Sequence, residues 1–168
     1  MVQTDFSLMR CPVARSMAVL GERWAILVLR EAFYGTTRFE EFERHLGIAP
    51  NILSARLAKL VEHGLLERAP ASGRGNRHEY RLTEKGRDFF PAYVALKRWA
   101  DRWMGDAAGP PVLLVEAASG EEVRSPPLTG SGGTPLNPED VRVLPGPGAS
   151  GKMRQRFGAA MAGSEEDA

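Results

Sequence analysis

Apolar residues recur every three to four positions through roughly the first hundred residues, which is the spacing of helices that bury one face. The first of these helices is predicted to begin at Pro12, because the first turn of a helix does not need the N–H group that proline lacks. Its apolar positions are Val13, Met17, Leu20 and Trp24. Gly21 is expected to break it. Residues 24–29 are then apolar almost all round, which predicts a second helix buried on every side.

Two further helices are predicted with only a tight turn between them. Thr37 is expected to cap the first of the pair, and Gly47 is expected to end it. Pro50 starts the second helix, and Gly64 stops it. The apolar positions are Phe39, Phe42 and Leu46 in the first helix and Leu53, Leu57, Leu60 and Val61 in the second. Two helices joined so closely form a helix-turn-helix.

A β-hairpin and a long helix are predicted to follow the pair. Residues 65–69 and 78–82 are predicted to be short strands, because residues 70–77 between them supply the Gly, Pro and Asn of a hairpin loop. Thr83 is expected to cap the long helix, and Pro91 is expected to kink it. One stripe of this helix contains Phe89, Tyr93, Leu96, Ala100 and Trp103. The predicted fold is mainly α with a small β-hairpin (α+β), a winged helix-turn-helix whose wing is the hairpin loop.

The composition changes after Gly105. Residues 106–168 contain 8 of the 12 prolines and 10 of the 18 glycines, and they carry 5 Lys+Arg against 9 Asp+Glu, whereas residues 1–105 carry 17 against 12. We therefore predict a basic winged-helix domain over residues 8–105 and an acidic, Gly/Pro-rich extension over residues 106–168. In the extension, residues 112–115 are predicted to form a strand. A short helix is predicted around Met153, Phe157 and Met161.

Several classes of protein do not fit this pattern. No apolar run approaches the ~20 residues of a membrane span, and the N-terminus lacks the basic and apolar regions of a signal peptide, so a cytoplasmic protein with no membrane partner is expected. No His/Cys/Asp/Glu cluster has the spacing of metal ligands. Neither a phosphate-binding glycine motif nor a nucleophile elbow is present. We expect no metal, no cofactor and no enzymatic activity.

The second helix of a helix-turn-helix presents its outward residues to base edges in the major groove of DNA. Those residues are predicted to be Asn51, Ser54, Ala55 and Arg56. Asn can pair with adenine, Arg with guanine and Ala with a thymine methyl group. Contacts to the DNA backbone are predicted for Thr37, Arg38, Pro50 and Lys59, and the wing would add Arg74, Asn76 and Arg77. Any amphipathic helix has a polar outer face, so the order of the elements, more than this face alone, favours double-stranded DNA as the partner.

Five short blocks carry a family resemblance. They are CPV at residues 11–13, GERW at 21–24, RFEEF at 38–42, RLAKL at 56–60 and YRLTEKG at 80–86. Together they resemble the HxlR family of bacterial winged helix-turn-helix transcription regulators, which are MarR-like. The match covers about residues 8–104. It implies a homodimer in which the first and last helices of two subunits pack together and the paired recognition helices read an inverted repeat.

The aromatic surface of the last predicted helix agrees with a homodimer. It is larger than one face of a small domain needs, although a monomeric core could absorb part of it. The residues concerned are Phe89, Phe90, Tyr93, Trp99 and Trp103. We therefore predict that a partner chain buries some of them.

Cys11 is the candidate sensor. It matches a cysteine that many HxlR members carry before the first helix and that some of them use to sense oxidants, quinones or aldehydes. A helix N-terminus flanked by Arg10 and Arg15 favours the reactive thiolate, although unpaired cysteines are often buried and inert. With one cysteine per chain, only an intersubunit disulfide, a mixed disulfide or an adduct can form. The rival is a small-molecule effector pocket at the dimer interface, bordered by Trp24, Tyr93 and Trp99, which also suit a core.

The extension resembles the small zinc-ribbon-like module that ends some longer HxlR members. Its knuckle positions, residues 119–120 and 129–133, keep the glycines but contain no cysteine, so a metal-free hairpin or a mobile tail is expected.

The functional prediction is a sequence-specific regulator, with repression favoured over activation, that binds an inverted-repeat operator as a homodimer. A small molecule or a thiol modification would release it from DNA. The alternative is a winged-helix protein–protein interaction module without DNA sequence specificity, since a fold does not fix a function.

Overall fold

The computed structural model describes residues 5–70, 78–124 and 126–162. The helices in that part of the chain are α1 Pro12–Leu20, α2 Ala25–Phe33, α3 Phe39–Leu46, α4 Pro50–Glu62, α5 Glu84–Asp88, α6 Phe90–Met104 and α7 Gly151–Ala162, and the strands are β1 Leu66–Pro70 and β2 His78–Leu82. The chain divides into two compact units, Met1–Ser125 and Pro126–Ala168. The first contains α1 to α6 and both strands, and the second contains α7.

The core of the first unit is built around α2, which contacts α1, α3, α4 and β2. Its residues Val28 and Leu29 are fully buried. The other buried members of the core are Val19, Leu20, Ala32, Phe42, Ile48, Leu53, Leu57, Leu60, Leu65 and Leu66. Full burial of such a side chain contributes about 1.5–3 kcal/mol. The helices α1 to α4 and the strand β1 all contribute to one core, which fixes the orientation of α4.

The turn between α3 and α4 confirms the predicted helix-turn-helix. Gly47 has a φ of 60°, a left-handed conformation that favours glycine, and its N–H donates to the Glu43 carbonyl at 2.9 Å. Ile48 is buried and anchors the turn in the core. Pro50 occupies the first turn of α4, as predicted.

The two strands form an antiparallel hairpin with a register that runs from Leu66 opposite Leu82 to Pro70 opposite His78. The bounds of β2 agree with the prediction, and β1 begins one residue later than predicted. Residues 71–77, which include the predicted wing residues Arg74, Asn76 and Arg77, lie outside the described residues.

The predicted cap of α3 is wrong. The residue at the N-terminal boundary is Arg38, and its side chain makes no capping hydrogen bond. The Thr37 carbonyl instead accepts a hydrogen bond from the Tyr80 N–H of β2 at 2.8 Å, which holds this residue against the hairpin. Glu40 and Glu41 place negative charge in the first turn, where the helix dipole favours it.

The predicted long helix is in fact two helices. The Thr83 cap is confirmed, because its Oγ accepts from the Gly86 N–H at 3.0 Å. A break at Phe89 then separates α5 from α6, so Pro91 lies in the first turn of α6 and not within a continuous helix. Proline costs little there, because the N–H that it lacks has no acceptor in a first turn. The expected kink is therefore replaced by a helix boundary two residues earlier.

The strand predicted for residues 112–115 does not form, and Val115 makes only an isolated antiparallel bridge to Glu122. The turn between these two residues contains Gly120, whose φ is 72°. In the second unit, a bridge joins Thr129 to Pro135 around Gly133, whose φ is 76°. The helix predicted near the C-terminal end is confirmed as α7.

Candidate nucleic-acid interface

The exposed face of α4, the recognition helix of this fold, is formed by three of the four residues predicted to read bases. Leu53, Leu57 and Leu60 are almost completely buried on the inner side of the helix. Asn51, Ser54 and Ala55 are exposed on the opposite side, and Pro50 is exposed at the start of the helix. The side chains of this outer face are short or polar, so they leave it accessible to a DNA groove.

Arg56, the fourth predicted base reader, is bound within the protein. Its Nη1 lies 3.2 Å from Oε2 of Glu22, and its side chain is 19% exposed. Lys59 lies one turn further along, with its Nζ 4.0 Å from Oε1 of the same carboxylate. Glu22 belongs to the turn between α1 and α2. Both cations of α4 therefore face an acid of another element.

A second group of charges lies where the α2–α3 loop meets the hairpin. Glu79 of β2 is buried, and its carboxylate is 3.0 Å from Nη2 of Arg81 and 4.0 Å from Nε of Arg38. The hydrogen bond between the Thr37 carbonyl and the strand brings Arg38 to this position. Both arginine side chains are about half exposed, so they present positive charge beside the start of α3. This arrangement suits contact with a phosphate backbone.

A polar network around the buried Glu31 joins the C-terminal ends of α2 and α3. Arg30 binds the carboxylate of Glu31 at 2.7 Å, and Nδ1 of His45 lies 3.4 Å from its other oxygen. The Thr36 hydroxyl is 3.2 Å from the same ring nitrogen. A buried carboxylate is stable only when it is paired in this way, and the network fixes the helix that precedes α4.

The three aromatic residues of the predicted effector pocket lie in different surroundings. Tyr93 is buried, and its hydroxyl is 2.6 Å from the hydroxyl of Tyr34. Burial raises the pKa of Tyr93 above its ordinary value, and the hydrogen bond to Tyr34 raises this pKa further. Trp24 packs against the core, whereas Trp99 is 51% exposed. A pocket bordered by all three stays a prediction.

A cavity of about 780 Å³ lies elsewhere in the first unit. Its lining residues are Asp5, Phe6, Met17, Ala18, Gly21, Glu22 and Lys59. Asp5 accepts hydrogen bonds from the side-chain hydroxyl and from the backbone N–H of Ser7. These bonds, with the hydroxyl contributing most, lower the pKa of the Asp5 carboxyl group. Glu22, whose carboxylate pairs with Arg56 and Lys59 of α4, is therefore part of the wall of this cavity.

Cys11 is exposed at the N-terminal boundary of α1, directly before Pro12. Its side chain makes no capping hydrogen bond to the helix. The Cys11 thiol is thus accessible to a reagent in solution, and Cys11 is not a core residue.

Sequence reasoning missed Glu22, Glu79 and Arg81. For the last two a signal exists, because alternate residues of a strand share a face and an acid two positions from an arginine can pair with it. Glu22 has no such local signal. Its partners lie more than thirty positions away and meet it only because α2, which contacts both α1 and α4, brings the α1–α2 turn beside α4.

No helix within the described ranges is long and apolar enough to cross a membrane. The winged helix-turn-helix with an open polar face on its second helix is the architecture of DNA-binding transcription regulators. The family model described as HxlR-like helix-turn-helix matches residues 19–108. The chain therefore belongs to the HxlR family, whose DNA-binding motif implies that its members bind DNA.

Individual relatives agree with this assignment. The chain is 43% identical, over 84% of its length and 89% of the relative's, to an uncharacterized HTH-type transcriptional regulator of Mycobacterium tuberculosis (strain ATCC 25618 / H37Rv). It resembles the crystal structure of PA1607, described only as a candidate transcription factor, with a TM-score of 0.77 and 45% identity over 83% of this chain and 98% of that one. The protein is thus a transcription regulator of the helix-turn-helix type.

A third likeness is to the redox regulator HypR in its reduced form. The TM-score is 0.50 and the identity is 29%, over 55% of this chain and 92% of HypR. The likeness to PA1607 covers more residues than the winged helix contains, so it includes part of the C-terminal extension.

Proposed function

We propose that the protein is a sequence-specific DNA-binding repressor that acts in the cytoplasm and binds an inverted-repeat operator as a homodimer. The observation that carries this proposal is the outer face of α4. Asn51, Ser54 and Ala55 are exposed together, and the fully buried Leu53 and Leu57 hold the helix so that this face points outward. Arg38 and the wing residues Arg74 and Arg77 would contact the DNA backbone on either side.

Exposed apolar side chains on α1 and α6 support the homodimer. They are Val13, Met17, Leu96, Trp99, Trp103 and Met104. Large exposed aromatic residues on one helix are a mark of an interface. In a two-fold dimer, the paired recognition helices would read half-sites about 34 Å apart.

Release from DNA would follow from a small change at the dimer interface, because a rotation there moves one recognition helix out of register with its half-site. The accessible thiol of Cys11, at the start of α1, supports thiol modification as one trigger. The likeness to a redox regulator supports the same trigger. A small-molecule effector is the other trigger, and we assign no catalytic step to the protein.

The proposal is tested by selecting binding sites from a pool of random duplexes and measuring affinity for the selected site and for a random duplex at several salt concentrations. An inverted repeat should be enriched. Binding should weaken steeply as salt rises, because a higher salt concentration favours the return to DNA of the cations that the protein displaces from its phosphates. Asn51→Ala should weaken binding to the selected site by about 1–3 kcal/mol and leave the random duplex nearly unaffected. Gln155→Ala, which removes an exposed amide side chain from α7 in the second unit, is the control. A protein that enriches no sequence would overturn the proposal and favour the alternative, a winged-helix protein–protein interaction module without DNA sequence specificity.

Cys11→Ser separates the two triggers. If thiol modification releases the protein, diamide or a quinone should dissociate the wild-type complex with the selected site and leave the Cys11→Ser complex intact. A variant complex that dissociates equally would eliminate the thiol mechanism.

A further inference from the structure

Glu22 lies beside the recognition helix α4 and is not one of the core residues that hold this helix in place. It follows Gly21 in the α1–α2 turn, and its backbone carbonyl accepts the Ala25 N–H at 2.9 Å. Its carboxylate holds Arg56 at 3.2 Å and reaches Lys59 at 4.0 Å. These two residues are the cations of α4, so one acid offsets part of the positive charge of the helix that must approach DNA.

This contact is weak enough for DNA to break. The Glu22 side chain is 43% exposed, and an ion pair in such a position is screened by water and salt. Glu22 contacts Arg56 through one nitrogen at 3.2 Å. A DNA phosphate can pair with both sides of the guanidinium fork, and the duplex concentrates negative charge, so DNA offers Arg56 a stronger partner. Arg56 is covered to about four-fifths in the free protein, so it must leave Glu22 before it can meet a phosphate or a base.

We propose that Glu22 sets the DNA affinity of the protein by competing, within the chain, with DNA for Arg56 and Lys59. The inference rests on the proposed function, since it concerns how the same helix engages DNA. In the free protein the carboxylate occupies both cations. On DNA the cations exchange Glu22 for the nucleic acid, and water and salt screen the freed carboxylate.

This exchange has a signature in the salt dependence of binding. Each protein cation that meets a phosphate releases about one counterion from DNA. Glu22 offsets part of the positive charge that α4 brings to DNA, so the net release of counterions by wild type is smaller. Without the Glu22 carboxylate, the slope of log affinity against log salt should steepen, by at most about one.

The experiment compares Glu22→Gln with wild type on a random 20-base-pair duplex and on the selected operator, by fluorescence anisotropy in about 50–300 mM KCl. At the lowest salt, Glu22→Gln should bind both duplexes about two- to fivefold more tightly, which corresponds to the strength of one exposed ion pair. Glu22→Ala serves as a second variant, since it removes the carboxylate without leaving an amide that could still pair with Arg56. Glu121→Gln removes the same charge from an exposed residue outside the winged helix and should leave affinity and slope unchanged.

A double-substitution cycle identifies the partner. In an Arg56→Gln background, Glu22→Gln should lose more than half of its effect, because the nearer cation is gone. If Glu22 merely braces α4, Glu22→Gln would weaken operator binding and leave the slope as in wild type, which overturns the proposal. Equal affinities for Glu22→Gln and wild type would also overturn it while leaving the proposed function intact. The proposed function fails separately, if wild type binds no duplex in a salt-dependent way.

Discussion

The two units of the chain achieve order in different ways. In Met1–Ser125, helices from four parts of the sequence share one core whose central side chains have almost no exposed surface. In Pro126–Ala168, Ala149 is the single buried apolar residue among the described side chains. Glycine turns, prolines and the capping box between Asn137 and Asp140 order this unit instead.

The first unit must hold its recognition helix rigidly, whereas the second unit should tolerate substitutions more easily. A recognition helix reads bases only if its orientation is fixed, and a close-packed core supplies that orientation. Local turns fix a short segment but bury little apolar area, so the same kind of substitution should have unequal effects in the two units.

Leu57→Ala should give the largest difference. Leu57 is fully buried on the inner side of α4, and its truncation leaves a cavity in the core, which should cost about 2–5 kcal/mol of the free energy of unfolding. Leu128→Ala removes the same atoms from a side chain of the second unit that is 80% exposed, and it should change stability by less than about 0.5 kcal/mol. Urea unfolding followed by circular dichroism measures both. Equal losses in the free energy of unfolding would show that the two units depend equally on their leucine side chains, which would contradict the comparison.

Gly86→Ala should have the next largest effect. A Cβ at Gly86 would lie 2.1 Å from the Leu65 carbonyl oxygen and 3.1 Å from Leu82 Cδ2, so α5 would have to move away from the hairpin. We expect a loss of about 1–3 kcal/mol in the free energy of unfolding. Gly130→Ala in the second unit is the matched control, because its Cβ would meet Leu136 Cδ2 at an ordinary 3.5 Å.

Gly130→Ala should be neutral or slightly stabilising, since alanine restricts the unfolded chain. Thermal unfolding of the two variants side by side makes the comparison. A Gly86→Ala protein as stable as wild type would show that α5 is not held at the distance seen here.

The helix-turn-helix could be predicted because its signals are local. Gly47 and Pro50 mark the end of one helix and the start of the next, and the leucines of α4 repeat at helical spacing. The exposed face at Asn51, Ser54 and Ala55 follows from the same periodicity, since residues opposite a buried stripe face outward. These parts of the fold and of the candidate site need no tertiary information.

The errors arise where distant elements meet. Thr37 has the side chain of a good cap, but a hydrogen bond from Tyr80 of the hairpin holds its carbonyl. The position of the helix boundary at Phe89 likewise depends on packing, because no capping side chain marks it in the sequence. For Arg56 the prediction as a base reader stays untested, and what the sequence did not predict is its pairing with Glu22 in the free protein. Long-range contacts of this kind leave no periodic trace in the sequence.

Tyr93→Phe should give the smallest effect and tests a polar contact in the well-packed unit. The substitution removes the 2.6 Å hydroxyl pair with Tyr34, whose own hydroxyl can turn to water, so at neutral pH the loss should be about 0.5–1.5 kcal/mol. Burial first, and then this hydrogen bond, raises the pKa of Tyr93 in the folded state. The unfolded chain therefore loses this proton at lower pH than the folded one, and the stabilisation is complete below about pH 10 and declines above it.

Urea unfolding of wild type and Tyr93→Phe between about pH 8 and pH 11 measures the difference. The wild-type advantage should be constant up to about pH 10 and should shrink as the pH rises further, because only wild type can deprotonate at this position. An advantage that stayed constant to pH 11 would mean that Tyr93 ionises equally easily in the folded and unfolded chains. A Tyr93→Phe protein as stable as wild type at neutral pH would instead show that the aromatic contact between α6 and α2 depends on ring packing alone, as it does for Phe33 and Phe90.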